Sequence, residues 1–247
     1  VSAAPESPAG VSRLVLWRHG RTEWNATGRF QGQQDPPLDG EGRRQATVAA
    51  AHLVSLLGLA TEDTVVVSSD LDRAVQTAAA LTDLLGLPLA VDARLREHGL
   101  GVWEGLTRDE VAARHPEQFA DWQAGRPVPG RGGEDPAAVA ARALSLVDDL
   151  PPARVAVLVT HGGTSGRLLE ALLELGPEHR RVFGPLGNCA WSELVPQGPR
   201  WRVLRHNWSA PSVDSSAQRD GVPRRARPGG APPEDAAPPA QDADAVA

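Results

Sequence analysis

Leu14-Val15-Leu16-Trp17-Arg18-His19-Gly20 runs an apolar stretch straight into an arginine, a histidine and a glycine. A short continuous apolar run ended by a turn residue reads as a buried strand, here expected over residues 12–17. In open α/β sheets, ligands gather beyond the carboxyl ends of the strands. Arg18 and His19 stand at such an end. An arginine beside a histidine there can bind a phosphate and attack it.

The rest of the chain supplies the sheet this strand needs. Residues 21–38 are rich in Gly, Gln and Pro and read as a long loop. Asp39 caps a helix expected to reach about Leu57, with Gly58 as its stop. Thr64 to Val67 reads as a second strand, Leu71 to Leu85 as a helix, and residues 88–91 as a short third strand. Residues 92–134 are rich in turns and charges, with one helix expected at 107–114. Pro136 to Leu150 reads as helix, Val155 to Thr160 as a buried strand, and Thr164 to Leu175 as helix. Two last strands, near 190–195 and 201–205, are joined at Gln197-Gly198-Pro199. Strands alternating with helices predict an α/β three-layer sandwich, with a mostly parallel sheet, helices on both faces and an antiparallel final hairpin. A flexible N-terminus (1–11), one domain (12–210) and a disordered Pro/Ala/Asp-rich tail (211–247) complete the expected organisation. The tail's only basic cluster is Arg224, Arg225 and Arg227.

Composition narrows the chemistry. The 247 residues include 41% hydrophobic side chains, enough for a sizeable core, and carry a formal charge of −6. That charge gives no reason to expect nucleic acid or an anionic membrane as partner. The sequence lacks Lys, Ile, Tyr and Met. A P-loop lysine, a Schiff-base lysine and a catalytic tyrosine are thereby excluded, and every fixed cation is arginine. The single cysteine, Cys189, reads as a small core residue in a reducing compartment. No basic start followed by an apolar stretch marks residues 1–11, and no run reaches membrane-spanning length. A cytoplasmic protein is expected.

Three strand ends carry a cationic or imidazole group. Arg18 and His19 follow the first strand, Ser68 to Arg73 the second, and His161 the strand at 155–160. His161-Gly162-Gly163 opens onto a helix whose free N–H groups favour an anion. Arg73 lies in the first turn of its helix, and Glu97 in an irregular segment that can overhang a pocket. The blander readings are that Arg73 pairs with Asp70 or Asp72, and that Glu104 or Glu110 competes with Glu97. His52, His115 and His179 read as surface residues, and His98 as a candidate pocket wall.

Four ordered blocks carry a resemblance. They are Leu16 to Gly20 with Thr22, Trp24-Asn25 and Gly28 to Gly32; Ser68 to Ala74 with Gln76 to Ala78; Leu95 to Glu97 with Gly101 to Gly105; and Val159 to Gly163. Together they resemble the histidine phosphatase (phosphoglycerate mutase-like) superfamily over roughly residues 13–208. The resemblance implies that His19 is the nucleophile, forming a phosphohistidine. Arg18, Arg73 and His161 would hold the phosphoryl oxygens, with Asn25 adding neutral donors. Glu97 would protonate the leaving group and then deprotonate water. Thr22, Gln31, Gly32, Gly162 and Asn188 are the substrate-side candidates. No metal or other cofactor is implied, and a homodimer is compatible with the family.

The expected partner is a small-molecule phosphate monoester. The segment between the Glu97 and His161 blocks is short, and Pro129 to Glu134 with Arg142 follows the phosphatase rather than the mutase pattern. Phe30 to Gln33, Leu100 to Thr107 and Leu186 to Trp191 are similar to phosphatases of a glucosylated phosphoglycerate. Such a substrate needs a carboxylate partner, for which Arg29, Arg126 and Arg131 are candidates. A broader phosphatase, a mutase-type phosphotransferase and a non-catalytic phospho-ligand binder are the competing readings.

Overall fold

A computed structural model of the chain describes residues 10–176, 179 and 182–211. The expected tail from residue 212 onward, with its arginine cluster, and residues 1–9 lie outside the described residues. Strands β1 (Leu14–Arg18), β2 (Thr64–Ser68), β3 (Ala90–Val91), β4 (Val155–Thr160), β5 (Trp191–Gln197) and β6 (Arg200–Trp208) form one sheet in the order β3-β2-β4-β1-β5-β6. The first four in that order are parallel, and β5 and β6 are antiparallel to their neighbours. Val11, just before the expected start of the domain, is buried and bridges to Ala153.

Alternation along the central strands builds two cores. Val15 and Trp17 of β1, with Val155, Val157 and Val159 of β4, pack on one face against α2 (Gly40–Leu57) and α3 (Asp72–Leu85). Leu14, Leu16, Ala156 and Leu158 point the other way, against α6 (Pro136–Asp148) and α7 (Gly162–Leu172). A side-chain period of two therefore covers both faces with helices, giving three layers. Asp39 caps α2 through Gly42 N–H, and Gly58, at φ 57°, ends it.

Several elements differ from the expectation. Within the loop at 21–38, α1 (Glu23–Ala26) forms a single turn closed by a reciprocal capping box between Thr22 and Asn25. Residues 92–134 hold two α-helices rather than one, α4 (Arg108–Arg114) and α5 (Pro116–Gln123), besides short 3-10 turns at Ala93–Leu95 and Gly101–Trp103. Pro116 starts α5 at the position where its missing N–H costs least. These helices are held by a third core of Phe30, Leu100, Trp103, Val111 and Trp122, with Phe30 edge-on to Trp122 at 5.6 Å. Helix α7 begins at Gly162 rather than Thr164 and ends at Leu172, and β6 runs on to Trp208.

Candidate active site

Strand β1 delivers its last residue, Arg18, directly into the site. The Arg18 backbone N–H donates to Ala190 O at 3.0 Å, and its buried Nη1 donates to Leu186 O at 2.7 Å. His19 is tied to the end of β4 and to the turn that precedes β5. Its N–H donates to Thr160 O at 3.0 Å, and its carbonyl accepts from Cys189 N at 3.1 Å and Asn188 Nδ2 at 3.3 Å. The His19 Nδ1 lies 2.7 Å from Gly20 O. A carbonyl can only accept, so Nδ1 carries the proton and Nε2 carries the lone pair. Burial, then the Arg73 and Arg18 charges, hold this imidazole well below its ordinary pKa, so the ring is neutral at pH 7.

Gly20 is confined to glycine, because a Cβ there would meet Gly42 O at 2.5 Å. Its N–H donates to Thr77 Oγ1 at 3.0 Å, which links the turn after β1 to α3.

Arg73, in the first turn of α3, is fully buried and reaches across the strand ends. Its Nε faces His19 Nε2 at 3.3 Å, Nη1 donates to Gln34 O at 2.6 Å, and Nη2 donates to Gly32 O at 2.8 Å. The acidic neighbours have other partners: Asp70 pairs with Arg96 at 2.6 Å and Asp72 accepts from Gln76 at 2.6 Å. Two backbone carbonyls therefore fix the guanidinium, and its Nε edge is turned to the histidine.

His161 follows β4 and precedes the first turn of α7. Its ring centroid lies 5.0 Å from that of His19, and its Nε2 lies 2.9 Å from Ser69 Oγ. Desolvation, then the Arg73 charge, hold it well below the usual imidazole range. Its Nδ1 has no hydrogen-bond partner among the described residues.

Glu97 is buried against the start of α7. Oε1 accepts from His98 N at 2.7 Å and Thr164 N at 2.9 Å, and Oε2 accepts from Gly163 N at 3.0 Å. The carboxylate thus satisfies N–H groups that the first turn of a helix leaves unpaired. Its competitors serve elsewhere. Glu104 accepts from Leu100 N and Gln33 N, and Glu110 closes the capping box of α4.

The substrate-side candidates divide. Asn25 Oδ1 accepts from Thr22 N at 3.0 Å and Asn188 Nδ2 at 3.3 Å, and Asn188 also holds the His19 carbonyl. Thr22 Oγ1 donates to Gln31 Oε1 or Asn25 Oδ1, each at 3.0 Å. These residues brace one another behind His19. Gly32 gives its carbonyl to Arg73, and a Cβ on it would meet Glu104 Oε1 at 2.2 Å. Gly162, the first residue of α7, is buried beside His161.

The sequence profile of the histidine phosphatase superfamily (branch 1) matches residues 14–209. The chain belongs to that superfamily. This histidine phosphatase is 42% identical to the glucosyl-3-phosphoglycerate phosphatase of Mycolicibacterium vanbaalenii over 195 residues, covering 75% of this chain and 84% of that protein. A probable phosphoglycerate mutase of Yersinia enterocolitica is 36% identical over 216 residues, covering 84% and 95%. The solved structure of a mycobacterial glucosyl-3-phosphoglycerate phosphatase with VO3 superposes with a TM-score of 0.73 at 40% identity, covering 80% of this chain and 100% of that one. The reaction class follows from this kinship: a hydrolase of phosphate esters. No helix among the described residues is long and apolar enough to cross a membrane.

Several supports of this candidate site had no individual role assigned from the sequence, although Ser69 and Thr77 fall within its second block. Ser69 and Thr77 brace the His161 ring and the Gly20 turn, and Thr164 donates to Glu97. The carbonyls of Gly20, Gly32, Gln34 and Leu186 orient His19 and both arginines. Side-chain identity is silent about carbonyls, whereas Ser69 and Thr77, inside the second block, and Thr164, directly after Gly162-Gly163, carried a usable signal. His52 and His115 are partly covered, and His52 lies 5.9 Å from the Trp191 ring. His98 is buried, and Cys189 is buried at φ 55° with its thiol pKa raised by desolvation.

Proposed function

We propose that the protein is a phosphomonoesterase that transfers the phosphoryl group first to His19 and then to water. We propose further that its substrate is glucosyl-3-phosphoglycerate. The observation that carries the reading is the His19 ring, neutral and fixed with its lone pair on Nε2 between two buried arginines. Nε2 attacks phosphorus, and an N–P bond forms as the ester P–O bond breaks. Glu97 delivers a proton to the departing oxygen. It then takes one from the water whose oxygen breaks the N–P bond and releases inorganic phosphate. Arg18, Arg73 and His161 hold the equatorial oxygens as charge redistributes, and preorganised donors of this kind supply a few kcal/mol each, about 2.7–4. Arginines perform the neutralisation, so the reading needs no metal. A single cysteine, Cys189, allows no intrachain disulfide and suits a reducing cytoplasm.

Phosphate release from glucosyl-3-phosphoglycerate and from free 3-phosphoglycerate, measured without added metal and with a chelator, tests the substrate. A preference of about a hundredfold for the glucosylated ester, or about 2.7 kcal/mol in transition-state binding, is expected. Equal and slow hydrolysis of both contradicts the substrate while leaving the chemistry intact.

A further inference from the structure

Residues 96–100 belong to no helix or strand, so no backbone ladder holds the segment that carries Glu97. Side chains hold it instead. From the preceding 3-10 turn onward, four consecutive carbonyls accept from side chains. Arg94 O accepts from Arg142 Nη1 at 2.6 Å, and Leu95 O from Thr160 Oγ1 at 2.8 Å. Arg96 O accepts from Thr164 Oγ1 at 2.6 Å, and Glu97 O from Arg142 Nη2 at 3.1 Å. Arg142 therefore grips both ends of this run.

Arg142, on α6, is itself locked. Its Nε and Nη2 donate to the two carboxylate oxygens of Glu134, each at 2.9 Å. Two parallel charged hydrogen bonds of this kind fix the plane of the guanidinium. Four of its five N–H groups are thereby committed to protein acceptors. Glu134 Oε2 also accepts from Gly99 N and Gln33 Nε2, each at 2.9 Å, and Gln33 Nε2 lies 3.2 Å from Glu97 O. The Glu134 backbone closes the arrangement, with its N–H donating to Gly99 O at 3.0 Å and its carbonyl 2.9 Å from His98 Nε2. The two side chains are only 18% and 28% exposed, which shields the pair better than an open surface would. Burial alone would raise the Glu134 pKa, but Arg142 and the Gly99 N–H outweigh it and hold the carboxyl below its ordinary value. The pair is ionised at pH 7.

Glu97 is thus held at two points. The N–H groups of His98, Gly163 and Thr164 fix its carboxylate, and Arg142 and Gln33 fix its carbonyl. Among the described residues, no hydrogen bond joins Arg142 or Glu134 to Arg18, His19, Arg73 or His161. Their hydrogen-bonded route to the chemistry runs through Glu97.

We propose that the Arg142–Glu134 pair is a positioning device for proton transfer, setting where Glu97 stands through the main chain of residues 94–99. The role rests on the phosphomonoesterase reading and deepens it. Misplacement of a reacting group by about 1 Å costs about a hundredfold in rate, and here the loss falls on proton delivery. Esters whose leaving group needs a proton depend on the pair, and esters whose leaving group departs unaided do not.

Single-turnover phosphorylation of the enzyme by benzyl phosphate and by p-nitrophenyl phosphate, followed by rapid quench, tests this. The two esters are similar in size, but the benzyl alkoxide departs only with a proton. Arg142→Gln is expected to slow transfer from benzyl phosphate by about a hundredfold, and from p-nitrophenyl phosphate by less than about threefold. In a Glu97→Gln background the same substitution should cost less than about twofold on either ester. Glu134→Gln keeps an acceptor for the Gly99 N–H but loses the charge, so it should give the same pattern at smaller amplitude. It carries the test if Arg142→Gln does not fold. Wild-type rates in both variants, both esters slowed alike, or an equal loss in the Glu97→Gln background would overturn the proposal. A wild type that reacts with p-nitrophenyl phosphate but is no faster than Glu97→Gln on benzyl phosphate also overturns it, with the phosphatase chemistry left in place. A wild type phosphorylated by neither ester overturns the phosphomonoesterase reading, and this role with it.

Discussion

His19 has its tautomer written into the turn that follows it, because the Gly20 carbonyl accepts from Nδ1 while Arg73 Nε–H faces the lone pair on Nε2 at 3.3 Å. With its pKa lowered by burial and two arginines, the free enzyme keeps a neutral nucleophile well into acid. The acid limb of kcat/KM, corrected for the substrate's own ionisation near pH 6, is therefore expected below the ordinary imidazole value of about 6.5. A limb at or above that value would refute the assignment. Glu97→Gln is expected to lower kcat on alkyl phosphates by about 10²–10⁴. Formation of the phosphoenzyme from p-nitrophenyl phosphate, whose phenolate leaves without a proton, should slow far less; rapid-quench kinetics on both esters checks this. At this scale the gathering of Arg18, His19, Arg73 and His161 was legible in the sequence, because each follows the end of a strand. The carbonyls that aim them were not, and neither was the inward pairing of Thr22 with Gln31, which needs the loop to close.

The elements matter through where they end. Strands β1, β2 and β4 finish side by side, and α7 begins where Glu97 meets it. A Cβ on Gly163 would meet Glu97 Oε1 at 2.8 Å and displace the carboxylate. Gly163→Ala is thus expected to cut kcat by about a hundredfold while circular dichroism stays unchanged, since misplacement of about 1 Å costs that much. Wild-type kcat in this variant would show that Glu97 does not act from the position described. The apolar runs of β1 and β4 and the Asp39 and Gly58 signals of α2 were readable because each follows a local rule. Helix α5 escaped because its stability comes from Trp122 packing on Phe30 and Trp103, contacts distant in sequence. The short α1 turn escaped because one capped turn leaves no periodicity to read.

Across the whole molecule, function and stability pull against each other at the same residues. His19 and His161 are buried neutral, with folded-state pKa values below those of the unfolded chain. As pH falls below about 6.5 the unfolded state binds protons that the folded state does not, so stability declines in that direction. The thermal midpoint is expected to drop through that window, and a midpoint flat from pH 7 to 5 would contradict the buried neutral pair. Orthovanadate or phosphate, binding only the folded site, should raise stability by about 2.7 kcal/mol at a hundred times its Kd. Arg73→Ala should abolish that gain, as followed by thermal unfolding. The three-layer architecture was legible from alternating strands and helices. The aromatic core over the site was not, since its residues lie scattered from Phe30 to Trp122.

The central claim is a phosphoryl group on His19 Nε2. Rapid acid-free quenching during turnover, followed by peptide mapping by mass spectrometry, tests it most directly. The account predicts an acid-labile, base-stable phosphate on the peptide containing His19, absent from His19→Ala, which should also lack turnover. Turnover by the wild type with no phosphorylated His19 peptide, or undiminished turnover by His19→Ala, would contradict it.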